Sequence, residues 1–352
     1  MYLCSVYLTI KYQKNIFFMF KNNLYIFILL LLISLVACQS SNQSGNDAQT
    51  PPETVNPTKN ISVPVFSADT TYSYTQKQVD FGPRTPGSKA HKQCADWLIS
   101  TMKRFADTVY VQKASVTNYA NKKLPIYNII GSFNPQAKDR ILLCSHWDSR
   151  PRADQDSTRQ NEPILGADDG GSSTAVALEI ARLLKNTPVS IGVDVILFDA
   201  EDDGVEGNDE SYCLGTQYWG KNLHVPGYTA RYGILLDMVG AADATFLKEQ
   251  NSMKVAPQVV DMVWSTAAEL GYSSMFIADT DFSPSITDDH IFVNSLAHIP
   301  TIDIINYVPY RGFGRHWHTH KDNMDIISKT TLAAVGQVVT TVIYRENANA
   351  PK

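Results

Sequence analysis

The order of apolar runs along this chain predicts an α/β fold: one domain, built on a mixed, mainly parallel sheet with helices on both faces. Short β-rich runs alternate with helical periodicity from about Val63 onward. Several of those runs stop at an aspartate or a histidine, and open parallel sheets carry their chemistry at strand ends. No internal repeat or long linker interrupts the stretch after Val63, so a single domain accounts for it.

The elements follow in order. Ala90, Cys94, Trp97, Leu98 and Met102 fall on one side of a helix over 88–105. The apolar runs 127–131 and 141–144 read as the first strands. Val176, Ile180, Leu183 and Leu184 make the apolar face of a helix over 172–184, with Ser172 or Ser173 as its cap. Strands follow at 191–198 and 232–236. Pro257 at a first turn and Gly271 just past the end bound a helix over 257–270. A strand over 301–305 and a closing helix over 330–344 complete the set. Segments 149–165, 203–212 and 309–315 lack periodicity and read as surface loops near the strand ends.

Residues 1–38 read as an export signal rather than fold. Lys21 precedes an apolar run from Leu24 to Val36, which is short for a membrane-spanning helix. Leu35-Val36-Ala37-Cys38 resembles the lipobox of bacterial lipoproteins, with Cys38 as the lipidated residue; a plain signal anchor is the alternative. Met19 sets Lys21 just ahead of the apolar run and reads as the better start. Residues 39–62 are rich in Ser, Asn, Gln, Pro and Thr and read as a flexible tether. A catalytic domain then spans 63–352. The expected location is the periplasmic face of a membrane, the outer membrane first, held by the lipid alone. Only Cys94, Cys144 and Cys213 remain in the body, so at most one disulfide can form.

Bulk properties narrow the function. Of 352 residues 44% are hydrophobic, ample for a core, and a formal charge of −5 without basic runs argues against nucleic acid. The chain has no Gly-x-Ser-x-Gly elbow, phosphate-binding loop, His-Glu-x-x-His or dinucleotide fingerprint.

What remains is a spaced set of acidic and histidine segments. They are His146-Trp147-Asp148, Gly166-Ala167-Asp168-Asp169, Asp199-Ala200-Glu201-Asp202, Asp237 and His318-Thr319-His320. Carboxylates and imidazoles without cysteine suit a catalytic zinc with an open coordination position. Adjacent carboxylates point apart on an extended chain, so one of Glu201 and Asp202 can bind metal while the other faces the reacting atoms. Asp148 is placed to orient a histidine. Taken singly, each segment is equally a solvated turn, a helix cap or a surface histidine.

In order, these residues resemble the M28 family of zinc peptidases, and more closely the glutaminyl cyclases of the same fold. The resemblance covers Phe81 onward, opening on Phe81-Gly82-Pro83-Arg84-Thr85-Pro86-Gly87-Ser88. It implies a zinc held by Asp169, Asp202 and His318, with Glu201 as general base. Three segments resemble the cyclases in particular: Leu236-Asp237-Met238-Val239-Gly240-Ala241, Asp288-Asp289-His290-Ile291 and Trp317-His318-Thr319. They imply catalytic roles for Asp237 and Asp288, with Asp289 as the alternative to the latter. They also imply a pocket walled by Trp317, with Phe313 and Trp219 as further candidates. The chain departs from the pattern at Asp202, usually Glu, and at Asp303, where the cyclases carry histidine.

Two activities follow on one scaffold. A glutaminyl cyclase uses one zinc and converts the N-terminal glutamine of peptides or proteins to pyroglutamate, releasing ammonia. An aminopeptidase uses two, with His146 and Asp237 completing the second site. A lipid-tethered binding protein that has lost activity is disfavoured, because Glu201 and all three ligands are intact.

Overall fold

The computed structural model describes residues 62–349. Cys38, the signal over 1–38 and the tether up to residue 61 lie outside the described residues.

The chain opens with helices α1 (Ala68–Val79) and α2 (Lys89–Phe105). Strands β1 (Thr108–Thr117), β2 (Lys123–Phe133) and β3 (Arg140–His146) follow. Next come α3 (Gly171–Asn186), β4 (Gly192–Phe198), α4 (Leu214–Lys221) and β5 (Gly233–Asp237). A small excursion holds β6 (Phe246–Leu247), α5 (Gln250–Val255), α6 (Pro257–Glu269) and β7 (Phe276–Ile277). The last elements are α7 (Asp289–Phe292), β8 (Thr301–Ile305) and α8 (Lys329–Asn349).

Six strands form one sheet in the order β1-β2-β4-β3-β5-β8. Strands β3, β4, β5 and β8 are parallel, while β1 and β2 are antiparallel. Side chains alternate between the two faces, as the two-residue period of a strand requires. Ile141, Leu143, Val193, Val195, Ile234 and Leu236 join one core with residues of α2, α3, α6 and α8. Leu142, Cys144, Ile196, Phe198 and Leu235 join a second core with Trp219 of α4. The mixed, mainly parallel, two-faced sheet expected from the sequence is therefore present.

Local expectations hold with corrections. Ser88 caps α2, its side chain accepting from His91 N. Pro257 opens α6 and Gly271 follows it at φ +84°. The run 127–131 is not the first strand: β1 precedes it and pairs with it along the sheet edge. The capping role given to Ser172 or Ser173 is also wrong, because Gly170 occupies the cap of α3 without a side-chain bond. Ser172 Oγ instead donates to the Asp168 backbone oxygen at 2.7 Å and to its carboxylate at 3.0 Å. Cys94, Cys144 and Cys213 are free and buried. Among the described residues no helix is long and apolar enough to cross a membrane.

Candidate metal centre and active site

Parallel pairing brings the C-terminal ends of β3, β4 and β5 together. His146 ends β3 opposite Phe198, the last residue of β4. Asp237 ends β5 beside Ile305 of β8. Beyond β4 the chain turns at Ala200, whose φ of +54° is left-handed, and delivers Glu201 and Asp202. Asp148 fixes that turn: its carboxylate accepts from Glu201 N at 3.0 Å and from Asp202 N at 3.2 Å. Asp148 also lies 3.5 Å from His146 Nδ1, the orienting position expected of it.

The Asp169 loop is shaped by close backbone approaches. A Cβ on Gly166, at φ +59°, would sit 2.6 Å from the Asp169 carbonyl oxygen. One on Gly170, at φ +78°, would sit 2.5 Å from the Asp148 carbonyl oxygen. Arg84, fully buried, donates to the carbonyls of Trp147 at 2.9 Å, Leu165 at 2.5 Å and Gly166 at 2.7 Å. Asp322 accepts from the backbone N–H of Asp168 at 2.7 Å and of Asp169 at 3.1 Å. Asp168 serves structure rather than metal. It accepts from Gly240 N at 2.7 Å and meets His316 Nε2 at 2.8 Å.

Asp169, Asp202 and His318 come together as expected, with ligand atoms within 4.8 Å of one another. The residues would suit a zinc by their chemistry: one imidazole and two carboxylates, all lining the cavity. Asp202 Oδ2 is buried without a hydrogen-bond partner, which is costly unless a cation meets it. Arg150, missed by the sequence reading, donates to Asp202 Oδ1 at 2.8 Å and pairs with Asp154 at 2.6 Å. Asp154 in turn lies 3.4 Å from His318 Nδ1. His320 is not a competing ligand, since it pairs with Asp156 at 2.9 Å.

A second set shares Asp169. His146, Asp169 and Asp237 also present ligand atoms within 4.8 Å of one another. His146 Nε2 is 3.1 Å from both carboxylates. Burial disfavours its charged form, but Asp237, Asp148 and Asp169 outweigh that and raise its pKa well above the histidine norm.

Glu201 faces the cavity beside Asp288, within 4.8 Å. Burial, reinforced by Asp202 and Asp288 against the pull of His146, raises its pKa well above the carboxylate range. Burial and Asp237 push Asp288 up to about 7. Burial likewise puts Asp237 at about 7, against the pull of His146 and with Asp169 and Asp168 adding to the rise. Asp289, the alternative to Asp288, turns away to Thr216 at 2.5 Å. Behind Asp288, His290 lies between Glu249 at 3.4 Å and Asp303 at 3.8 Å, all buried.

The cavity has a volume of about 420 Å³. Trp317 and Phe313 line it, stacked with ring centroids 4.6 Å apart. Trp317 also stacks on His318 at 3.7 Å, so wall and metal ligand are one unit. Trp219 does not belong to this pocket. It is fully buried in the core on the other part of the sheet, edge-on to Phe198 at 5.5 Å.

Loss of a proton is a condition of zinc binding. His318 is buried, which opposes its charge, but Asp202 and Asp154 raise its pKa above the usual 6.5. Protons therefore compete for this ligand at higher pH than for an ordinary histidine. Zinc affinity should be greatest on the alkaline side and begin to weaken while pH is still above 6.5. Competition with a chelator of known affinity across pH checks this; an affinity unchanged down to that value is the contrary result.

Comparison with known proteins gives the family. The profile of peptidase family M28 covers residues 128–343. A Zn-dependent exopeptidase from Parabacteroides distasonis is 52% identical, with a TM-score of 0.78 over 80% of this chain and 99% of its own. The glutaminyl cyclase of Bacteroides thetaiotaomicron, solved with N-acetylhistamine, is 48% identical, with a TM-score of 0.78 over 80% and 99%. A glutaminyl-peptide cyclotransferase of Drosophila melanogaster is 25% identical over 71% of this chain and 73% of its own. A profile match across most of the sheet, joined to these likenesses, settles the family: the chain belongs to peptidase family M28.

Proposed function

We propose that this protein is a zinc-dependent glutaminyl cyclase, converting N-terminal glutamine of peptides or proteins to pyroglutamate with release of ammonia. The observation that carries this is the carboxylate array at the cavity, in which the half-buried Glu201 adjoins the buried Asp288, with Asp237 and Asp303 nearby. One group acting as base and then acid suffices for hydrolysis, and the additional acids beside Glu201 go beyond that need. The 48% identity to a solved glutaminyl cyclase supports the same reading.

Asp169, Asp202 and His318 would hold the zinc, which supplies Lewis-acid polarisation of an acyl oxygen when bound. Trp317 and Phe313 wall the space for a short side chain. Within it the α-amine and the γ-amide carbon of a glutamine are held together, so that much of the rate comes from positioning. Glu201 takes a proton from the α-amine as the new N–C bond forms. It gives that proton to the departing nitrogen as the old C–N bond breaks, and ammonia leaves. Burial, with the like-charge neighbours Asp202 and Asp288, raises the proton affinity of Glu201.

A dinuclear aminopeptidase is the second reading, favoured by the His146, Asp169 and Asp237 set. One comparison separates the two. The protein is expected to release ammonia from glutaminyl arylamides and peptides while leaving leucyl arylamides intact, with about one zinc per chain. Release of free leucine with two zincs per chain would overturn the cyclase assignment.

A further inference from the structure

Glu201 carries the proton in either reaction, yet the carboxylate has few partners of its own. Among the described residues, a single side chain hydrogen bonds to it. Cys213 Sγ lies 3.4 Å from Glu201 Oε1. The same residue also holds the Glu201 backbone, its N–H donating to the Glu201 carbonyl at 2.9 Å. Leu214 N continues the pairing to the Ala200 carbonyl, also at 2.9 Å. Cys213 thus grips both the main chain and the side chain of the proposed base.

The residue's conformation is unusual. Cys213 stands immediately before α4 at φ +55°, in the left-handed region that suits Gly or Asn. A side chain with a Cβ is disfavoured there, and such residues persist where surrounding contacts over-determine them. The thiol is wholly buried, and burial, with Asp289, Glu201 and Asp288 around it, pushes its pKa well up. It therefore stays an S–H group, a donor rather than a nucleophile.

We infer that Cys213 is a positioning residue: its thiol donates to Oε1 of Glu201 and holds the carboxylate facing the cavity, leaving Oε2 to exchange the proton with substrate. This rests on Glu201 being the base, and it holds for cyclisation and hydrolysis alike. A weak thiol donor steers the carboxylate without neutralising it, as a cation would. A base free to rotate away would bind substrate normally but transfer its proton less often, and misplacement on the ångström scale costs up to about 100-fold in rate.

The test compares Cys213→Ala, Cys213→Gly and Cys213→Ser in the zinc-loaded protein on a glutaminyl arylamide, with Glu201→Gln alongside. Gly also suits the left-handed backbone at this position. Removing the donor by Ala or Gly should lower kcat about 10-fold, the worth of one hydrogen bond to a charged group, with KM and zinc content unchanged. Ser, which restores a donor, should return to within about threefold of wild type, a difference of under one hydrogen bond. Packing alone would instead make Gly the harshest change and Ser no better than Ala. Wild-type kcat in the Ala or Gly variant overturns the proposal, as does a Ser variant as slow as Ala. If Ala does not fold, the Ser and Gly pair reads the same contrast. A Glu201→Gln variant that still turns over removes the base assignment, and this inference with it. An inactive Glu201→Gln beside an unaffected Cys213→Ala removes the role of Cys213 alone.

Discussion

Glu201→Gln should cost about 10²- to 10⁴-fold in kcat, the usual worth of a positioned acid–base group. Gln matches Glu in shape and keeps an oxygen to accept from the Cys213 thiol, so the loss is one of proton transfer. Zinc content should not change, because the proposed metal set, Asp169, Asp202 and His318, does not include Glu201. Stability should not fall either. In the zinc-free protein Glu201 has a raised pKa, from burial and from Asp202 and Asp288. An acid that binds its proton more tightly when folded weakens the fold as pH rises through its unfolded value, about 4.3. A neutral Gln removes that cost, so zinc-free Glu201→Gln should melt at or above wild type, increasingly so at higher pH. Turnover near wild type would end the assignment of Glu201 as base. An inactive variant that had also lost its zinc would assign Glu201 to the metal instead.

Removing a ligand should act differently. Asp202→Ala and His318→Ala should each weaken zinc binding by more than the 10- to 100-fold typical of losing an outer partner, and turnover should vanish with the metal. The two are distinguishable. His318 stacks on Trp317, which lines the cavity, and pairs with the partly exposed Asp154. Asp202 also accepts from the buried Arg150. Deleting one member of a buried ion pair costs about 3–5 kcal/mol when the other is left alone. Arg150 keeps Asp154, so Asp202→Ala should lose part of that. Melting curves in excess chelator should place Asp202→Ala below His318→Ala. Full zinc content in either variant contradicts the ligand set.

Which parts of this site were legible depended on the kind of signal. The parallel strands announce themselves because both faces are buried: Ile141 to Cys144 and Val195 to Phe198 are continuous apolar runs. The acidic residues just beyond them stand out by contrast. Strand β1 was missed because it lies at the sheet edge, half-exposed, and its sequence mixes Gln, Lys, Ser and Thr with its valines. Helix α1 was missed because the positions it buries are Thr71, Thr75 and Gln78, which leave no apolar stripe to detect. Trp219 and Trp317 look alike in sequence, and only the fold separates the one packed on Phe198 from the one lining the cavity. Arg150, Asp154 and Asp322 act through partners far along the chain, and spacing carries no trace of such pairs.

Arg84 has a consequence for where the working unit begins. It lies 44 residues before the start of the segment shared across the family, which opens at 128. Yet its guanidinium ties the carbonyl of Trp147, just past β3, to those of Leu165 and Gly166, which lead into Asp169. Its backbone N–H adds a fourth tie, to Ser149 Oγ at 2.9 Å. The loop that carries Asp169 is thus held by a residue upstream of the profile match. The profile alone therefore understates the unit that builds this site, and the likeness to solved relatives, over 80% of the chain, reaches further upstream.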